Sequence, residues 1–221
     1  MTSAVLAIDT STSSSSAAVL VDGAVTERWA AQAEGARPSH STDVLLLVRD
    51  SLAGAGVDHS EIGRIVVGLG PGTFTGIRIG LSIAQGLAIS TGADLVGVGS
   101  LRALLAEADS TLPTVAMIDA RRGEIFILGA NGGYESPRPV AVSLDAVPSV
   151  LAPGSLCIGE GALLIADRLR EAGMEVPRAN DPRHRVSAGR LALLGDLPDR
   201  SGDQVLPDYV RDPDAVPTSE R

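Results

Sequence analysis

The chain has 221 residues, a formal net charge of −9, 44% hydrophobic residues and 2% aromatic residues. This length allows one large domain or two lobes around a sizeable core, which must be built from Ala, Val, Leu and Ile. All 18 basic residues are arginine, which excludes the Walker lysine, Schiff-base lysines and lysine general bases, and the 27 acidic residues disfavour a protein that binds a polyanion by itself.

The first half of the chain alternates short apolar runs with amphipathic segments. Residues 4–8, 14–21 and 24–31 predict three strands, and Asp22-Gly23 is a hairpin turn signal. The elements predicted next are a helix from Pro38 and Ser39 to about Ala53, a buried strand at 64–69, a glycine-rich loop, a helix at about 74–90 and a strand at 94–98. The order βββαβαβ predicts a first lobe at residues 1–99.

The second half is less sharply patterned and predicts an abbreviated α/β lobe at residues 100–195. The predicted elements are a helix at 100–108, strands at 113–118 and 124–130 around a turn at 119–123, irregular segments to Pro153, a strand at 155–159, and helices at 161–172 and 187–194. From Gly195 onward prolines and acidic residues accumulate. Residues 196–221 are therefore expected to form a mobile tail.

The most distinctive stretch is GLGPGTFTGIRIG, Gly68 to Gly80, which runs into a predicted helix. Free N–H groups and the positive end of the helix dipole suit a phosphate at such a turn. The G-x-G-x-x-G spacing fails, the P-loop lacks its lysine, and the serine-hydrolase elbow G-x-S-x-G is also missed. Two interpretations stay open: a tight turn that lets helix and strand approach closely, or an anion contact. The residues that would face a phosphate are Gly70, Gly72, Thr73 and Thr75.

A second suggestive element is Asp9-Thr10-Ser11, directly after the first predicted strand. An acid followed by hydroxyls at the end of a strand can coordinate a magnesium-bound phosphate. Capping of the turn is the alternative. No cofactor is expected to be required, and ATP or ADP with magnesium would bind only weakly, or in an assembled complex.

Five segments together resemble the TsaB family, also called YeaZ: AIDTS near the N-terminus, PSHS, GPGTFTGIRIGL, DARRGEIF (119–126) and PDYVR (207–211). The resemblance spans nearly the whole chain. It implies an α/β fold of the actin-like and Hsp70-like ATPase class (ASKHA), with two related lobes of which the second is reduced. It also implies a role in bacterial biosynthesis of threonylcarbamoyladenosine, the modified adenosine beside the anticodon of tRNA.

In that family the protein is the non-catalytic partner of TsaD, which transfers the threonylcarbamoyl group, and the ATPase TsaE completes the complex. TsaD carries two metal-binding histidines at i and i+4 on its first helix, whereas here His40 is followed by Val44. His59 and His184 fall in predicted loops far apart, and the single cysteine, Cys157, falls in a predicted buried strand. We therefore expect no catalytic residue and no metal site.

The two long predicted helices indicate a docking surface. On the first, Val44 belongs to a core-facing stripe that includes His40, Leu45, Leu47, Val48 and Leu52, and Leu46 is left on the opposite face. On the second, a core stripe contains Ile77, Leu81, Ala84 and Ala88, and a separate ridge contains Ile79, Ile83 and Leu87. Either the first helix of the same chain covers this ridge, or a separate protein does.

The resemblance favours a separate protein, because TsaB proteins dock TsaD, and often dimerise in isolation, through helices of the first lobe. The expected partner contacts are His40, Leu46, Arg78, Ile79, Ile83 and Leu87; for His40, a structural position at the start of the helix is the alternative. Arginines at 121 and 122 and the cluster 183–190 are either solvated or make minor contacts to tRNA, which is expected to bind only through the complex.

Two other function classes stay open: a free-standing ATP-dependent kinase of the actin-like superfamily, and a peptidase. A kinase needs a catalytic carboxylate between the lobes and an adenosine pocket, for which a reduced second lobe leaves little chain. The N-terminus lacks a basic region of the signal-peptide type, and no apolar run reaches the roughly 18 residues of a membrane span. A cytoplasmic protein without membrane association is expected.

Overall fold

The computed structural model describes residues 3–31, 40–106 and 111–210. The strands are β1 (Ala4–Asp9), β2 (Ser14–Val21), β3 (Ala24–Ala31), β4 (Ile62–Gly68), β5 (Asp94–Val98), β6 (Thr114–Arg121), β7 (Glu124–Ala130), β8 (Val140–Ser143), β9 (Leu156–Ile158) and β10 (Arg200–Ser201). The helices are α1 (His40–Ala55), α2 (Phe74–Thr91), α3 (Ser100–Leu105), α4 (Val147–Val150), α5 (Glu160–Leu164), α6 (Ala166–Glu171) and α7 (Ala188–Leu194). Single 3-10 turns lie at His59–Glu61, Pro182–His184 and Gly202–Gln204.

A six-stranded sheet has the order β10-β5-β4-β1-β2-β3. In it β1 is antiparallel to β2 and parallel to β4, which is parallel to β5. The β2–β3 turn is the expected Asp22-Gly23, and both residues have positive φ, 49° and 79°. This is the conformation of a two-residue type I′ hairpin, whose twist matches the paired strands. The predicted hairpin is confirmed.

A second, four-stranded sheet has the order β8-β7-β6-β9. Its strands β6, β7 and β8 are successively antiparallel, and β9 is parallel to β6. The first sheet is built the same way, since β1, β2 and β3 are antiparallel and β4 is parallel to β1. The two sheets therefore share one strand pattern, which the first sheet extends by β5 and β10.

The core has three apolar layers. One contains α1 and α2 against the first sheet, a second lies between the two sheets with α3 and α7, and a third lies beyond the second sheet with residues of α4, α5 and α6. Within the described ranges Phe126 is the one buried aromatic side chain, so the prediction of a mainly aliphatic core is confirmed. No helix of the described ranges is both long and apolar enough to span a membrane.

Several predicted elements of the second half differ from the structure. The helix predicted at 161–172 is interrupted at Ile165, whose φ of −129° is not helical, so α5 and α6 are separate. The turn predicted at 119–123 includes the end of β6, which continues to Arg121. The segments expected to be irregular as far as Pro153 contain β8 and α4. The helix predicted at 100–108 ends at Leu105, and residues 107–110 lie outside the described ranges.

The expectation of a mobile tail is wrong for residues 196–210. β10 pairs with β5, and Val205 is 1% exposed within the apolar layer of α1 and α2. The Asp208 N–H donates to the Leu69 carbonyl at 2.9 Å. Burial of one valine and backbone pairing thus attach this polar segment to the first sheet. Residues 211–221 lie outside the described ranges.

Candidate functional site

The glycine loop, residues 69–73, connects β4 to α2 and packs on the turn between β1 and β2. A Cβ atom on Gly72 would lie 2.0 Å from the Ser11 carbonyl oxygen, and one on Gly76 would lie 2.0 Å from the Thr10 carbonyl oxygen. Real Cβ atoms do not approach oxygen so closely. Glycine at these two positions is therefore required for the loop and the start of α2 to contact the turn.

Hydrogen bonds join the same two segments. The Thr73 N–H donates to the Ser11 carbonyl at 2.7 Å, and the Thr10 hydroxyl donates to the Gly76 carbonyl at 2.7 Å. On its other side the loop accepts from the Ser100 N–H, through the Gly70 carbonyl, at 2.8 Å. The interpretation of the glycines as positions of close approach is confirmed, whereas contact with an anion stays a prediction.

Asp9 ends β1 beneath the loop and is 1% exposed. Its carboxylate accepts hydrogen bonds from the Ser11 N–H and hydroxyl and from the Ser100 hydroxyl, at 2.9–3.1 Å. Burial raises the pKa of Asp9 to about 6; the hydrogen bonds from Ser11 and Ser100 lower it, and the negative charge of Glu160 raises it. Both oxygens are thus engaged by groups of the chain itself.

A contact between the β1–β2 turn and the start of α5 lies next to Asp9. The Ser13 hydroxyl donates to the Glu160 carboxylate at 2.5 Å. Glu160 begins α5, directly after β9, where Gly159 has φ +94° and its Cβ would lie 2.1 Å from the Met117 carbonyl oxygen. Sequence reasoning missed Glu160. The signal was the Gly-Glu-Gly triplet after a predicted strand, which marks a close backbone approach.

The seven residues expected to face a phosphate have different surroundings. Asp9, Thr10 and Ser11 are at most 2% exposed. Thr73 is half-buried, and its hydroxyl oxygen is buried without a hydrogen-bond partner among the described residues. The others are Gly70, which is buried, Gly72, which is half-buried, and Thr75, which is exposed.

A cavity of about 680 Å³ lies on the other side of the glycine loop, between the two sheets. Its walls include Gly70, Gly99, Arg102, Arg138 and Tyr209. Of the seven residues expected to face a phosphate, Gly70 alone lines it. The structure therefore does not bring Asp9 and the cavity together.

The outer surface of α1 and α2 contains the residues expected to contact a partner. Leu46 is 44% exposed, as predicted, and Leu45 is 50% exposed. The assignment of Leu45 to the core stripe is wrong, because a side chain 100° from buried Val44 turns away from the sheet. The side chain of His40 lies outside the described part of the chain.

The ridge of α2, Ile79, Ile83 and Leu87, is half-buried. Ile83 and Leu87 pack on the apolar layer that contains buried residues of α1. Further along the helix Ile89 is 86% exposed. The chain's own first helix thus covers the ridge in part, and Ile89 lies on a separate, exposed face of α2.

At the N-terminal end of α2, Phe74, Arg78 and Tyr209 form a cluster that we call the aromatic clamp. The two rings stack with centroids 5.4 Å apart, and the guanidinium carbon of Arg78 lies 3.7 Å from the Phe74 centroid. The Arg78 Nε–H donates to the Tyr209 hydroxyl at 2.9 Å. Phe74 is 53% and Tyr209 43% exposed. Two of the chain's five aromatic residues (Trp 1, Tyr 2, Phe 2) thus lie on one surface patch.

The described histidine and cysteine side chains lie apart. His184 is 4% exposed, with its ring nitrogens 3.0 and 3.3 Å from the carbonyls of Gly159 and Pro177, so its grouping with surface arginines is wrong. Cys157 is buried in β9 as predicted, and burial raises the pKa of its thiol to about 12. In the described ranges, no group of three or more His, Cys, Asp or Glu side chains is arranged to hold a metal ion.

Comparison with known proteins identifies relatives of this arrangement. A family profile described as TsaD, tRNA N6-adenosine threonylcarbamoyltransferase, matches residues 27–156. The protein named tRNA threonylcarbamoyladenosine biosynthesis protein TsaB of Escherichia coli (strain K12) is 38% identical over 125 residues, which are 55% of this chain and 52% of that protein. The chain belongs to the TsaB (YeaZ) family.

The solved structure of YeaZ from Pseudomonas aeruginosa matches 94% of this TsaB-family chain and 99% of its own, with a TM-score of 0.74 and 25% identity. An uncharacterized protein of Mycobacterium tuberculosis (strain ATCC 25618 / H37Rv) is 31% identical over 97% of this chain and 95% of that protein. The match spans about half the length of the TsaB proteins of E. coli and Haemophilus influenzae. The mixed α/β fold is that of YeaZ and of a TsaD-like domain in the actin-like ATPase superfamily.

Proposed function

We propose that this chain is a non-catalytic scaffold subunit that acts with TsaD and TsaE in the transfer of a threonylcarbamoyl group to the adenosine beside the anticodon of tRNA. The names of the TsaB relatives support a role in threonylcarbamoyladenosine biosynthesis. In this proposal TsaD performs the transfer, TsaE supplies ATPase activity, and tRNA binds through the complex. The reaction takes place in the cytoplasm, where tRNA is modified.

The observation that supports a non-catalytic role is that the Asp9 carboxylate is hydrogen-bonded within the chain. An acid that coordinates a magnesium-bound phosphate needs a carboxylate oxygen free to reach the metal. Here its oxygens accept hydrogen bonds from Ser11 and Ser100, and the residue is 1% exposed. The backbone of the neighbouring turn fills the space against Gly72 and Gly76. A phosphate would have to displace these contacts before it could bind.

The same geometry supports weak nucleotide binding at most. The start of α2 offers backbone donors and a helix dipole worth roughly 0.3–1 kcal/mol per interaction, without a lysine or a second metal ligand beside it. We propose that Asp9, Thr10 and Ser11, together with Gly70, Gly72, Thr73 and Thr75, retain the shape of a phosphate site. The subunit requires no cofactor of its own.

The scaffold role requires a docking surface, and exposed apolar residues on the outer face of α1 and α2 support its placement there. Leu46 is exposed, and the ridge of Ile79, Ile83 and Leu87 leaves one edge accessible. We propose that TsaD docks on this face, near the start of α1 at His40, and that a second copy occupies it in the isolated protein. The shared strand pattern of the two sheets supports two related lobes at residues 1–99 and 100–195, the second reduced.

Reconstitution tests the proposal. The purified chain is assayed alone for ATP hydrolysis and peptide cleavage, and then with TsaD and TsaE for threonylcarbamoyladenosine formation on unmodified tRNA. We expect no turnover by the chain alone and formation of the modified nucleoside only when the chain is added to TsaD and TsaE. Multiple-turnover ATP hydrolysis by the pure chain, unchanged in amount across independent preparations, would indicate a kinase-like enzyme instead.

A further inference from the structure

Arg78 is the only charged residue of α2, and no described carboxylate neutralises it. None of the ion pairs found among the described residues includes Arg78. The chain has 27 acidic and 18 basic residues, so acidic partners are plentiful. The charge of this exposed arginine is therefore available to another molecule.

The guanidinium of Arg78 is held in place by the aromatic clamp. Its carbon lies 3.7 Å from the Phe74 centroid and 5.9 Å from the Tyr209 centroid. Tyr209 itself is fixed by the segment before it, through buried Val205 and the hydrogen bond from the Asp208 N–H to Leu69. Because the side chain is already ordered, a ligand that binds it does not have to offset the usual loss of rotamer freedom.

The hydrogen bond to Tyr209 determines which donors are left. A guanidinium has five N–H groups, and the Nε–H is used by the Tyr209 hydroxyl. The four N–H groups on Nη1 and Nη2 have no partner among the described residues. Two of them, one on each nitrogen, point in parallel and match the two oxygens of a carboxylate approached end-on. The exposed ring of Phe74, 3.7 Å from the guanidinium carbon, covers one face of the fork.

The surroundings favour a protein over a nucleic acid as the source of the anion. Arg78 lies among the exposed rings of Phe74 and Tyr209, on a face of α2 about 100° or more around the helix from the ridge. Ser82, Gln85 and Ile89 continue this exposed face without a charge. Exposed aromatic and apolar side chains beside an arginine are typical of protein interfaces. A formal charge of −9 repels a polyanion, and one arginine does not offset it.

We propose that the Arg78 guanidinium, held by Phe74 and Tyr209, receives an Asp or Glu carboxylate of the protein that docks on α2, in an end-on bidentate pair at the rim of the apolar contact. This inference rests on the proposed function, in which the docking protein is TsaD. It adds the chemistry of the contact: an acidic side chain next to an apolar face. Tyr209 is a positioning residue in this arrangement, because it acts through Arg78.

The test measures the dissociation constant between the full chain and TsaD by calorimetry, for wild type, Arg78→Ala, Arg78→Lys and Tyr209→Phe. We expect Arg78→Ala to weaken binding about 30-fold or more, because a hydrogen-bonded charge pair is lost. Arg78→Lys keeps the charge without the planar fork and should bind about tenfold more weakly than wild type. Tyr209→Phe keeps the stacked ring and should cost roughly threefold to fivefold, within the range of one lost hydrogen bond.

The matched control is Arg168→Ala, which removes one positive charge from an exposed arginine of α6, where Arg168 pairs with Asp145. It should bind TsaD as wild type does. Salt should weaken wild-type binding more steeply than binding of Arg78→Ala, because only wild type retains the ion pair. If Arg78→Ala lowers the melting temperature, Arg78→Lys and Tyr209→Phe decide the question in a folded chain.

Three outcomes separate the proposals. Wild type that does not bind TsaD overturns the proposed function and this inference with it. Wild type that binds, with Arg78→Ala and Arg78→Lys within twofold of its affinity, overturns the inference alone. Unchanged affinity for TsaD together with weaker retention of tRNA by the complex of Arg78→Ala would assign Arg78 to a phosphate, and it too overturns the inference.

Discussion

Two regions of the molecule differ in how many of their groups are buried or hydrogen-bonded within the chain. One is the glycine loop with Asp9, and the other is the outer face of α1 and α2. Around the loop, Asp9, Thr10 and Ser11 are at most 2% exposed and form hydrogen bonds within the chain. On the outer face, Leu45 and Ile89 are 50% and 86% exposed, and Arg78 has no acidic partner among the described residues. The stretch with the most motif-like sequence is thus used for internal packing, and the plainer helix surface stays exposed.

The physical basis of this difference is the cost of leaving groups unpartnered. A buried carboxylate without hydrogen bonds would be strongly destabilising, so the chain surrounds Asp9 with hydroxyls. An exposed leucine or arginine has little cost in water and gains free energy when a partner covers it. A recognisable motif therefore indicates function only after its groups are found to be available.

The largest effect is expected where the glycine loop meets the turn. Gly76→Ala places a Cβ 2.0 Å from the Thr10 carbonyl oxygen, so α2 must move away from the turn. We expect the free energy of unfolding, measured by urea denaturation, to fall by about 3 kcal/mol. The matched control on the same helix is Gly86→Ala, whose Cβ meets nothing within 4 Å and which should raise stability by roughly 0.5–1 kcal/mol. Equal effects of the two substitutions would contradict close packing at Gly76.

Substitutions of Ile83 in the α2 ridge and of exposed Leu46 in α1 test the outer face of the two helices. Ile83 packs on the α1 layer with its inner side, so Ile83→Asp should lower stability by about 2 kcal/mol as well as prevent association with TsaD. Leu46→Asp lies at an exposed position and should weaken association about 30-fold with stability changed by no more than about 0.5 kcal/mol. Melting temperature and pull-down of TsaD measure the two effects. Full retention of TsaD by Leu46→Asp would remove this face from the interface.

The buried carboxylate makes stability depend on pH. Burial raises the pKa of Asp9 to about 6, above its ordinary value of 3.8, so folding takes up a proton between these values. The contribution of this group therefore grows as pH falls through 6 and is absent above it. Relative to Asp9→Asn, which does not titrate, wild type should gain about 2 kcal/mol between pH 7 and pH 4.5. Parallel stability curves for the two proteins over this range would show that Asp9 is not desolvated.

The smallest effect is expected from nucleotide. With a dissociation constant in the millimolar range, about 1 mM ATP with magnesium should raise the stability of the isolated chain by only roughly 0.4 kcal/mol. Calorimetry of the isolated chain checks this value directly. A low-micromolar constant would mean that the loop opens readily for a phosphate, and the contrast between the two regions would then disappear.

Predictions from the sequence succeeded where a local pattern is long enough to be specific. The bounds of β2, β3, β5 and β7 agree with the runs read from the sequence, as does α2 to within one residue. The two-residue strand β10 and the four-residue strand β8 were not predicted, because strands this short depend on their neighbours rather than on their own pattern. The interruption at Ile165 likewise has no glycine or proline to mark it.

In the candidate site too, local features were predicted from the sequence and contacts between distant segments were not. The sequence predicted that its glycines permit a close approach, but it did not reveal that Ser13 contacts Glu160, 147 residues later, or that Arg78 contacts Tyr209, 131 residues later. The sequence by itself determined the TsaB family, the mixed α/β class and the aliphatic core. It also excluded any chemistry that depends on lysine. Only the tertiary structure decided which polar groups are already engaged and which apolar edge stays exposed. Burial and hydrogen bonding at these positions depend on contacts between distant segments, which no local period encodes.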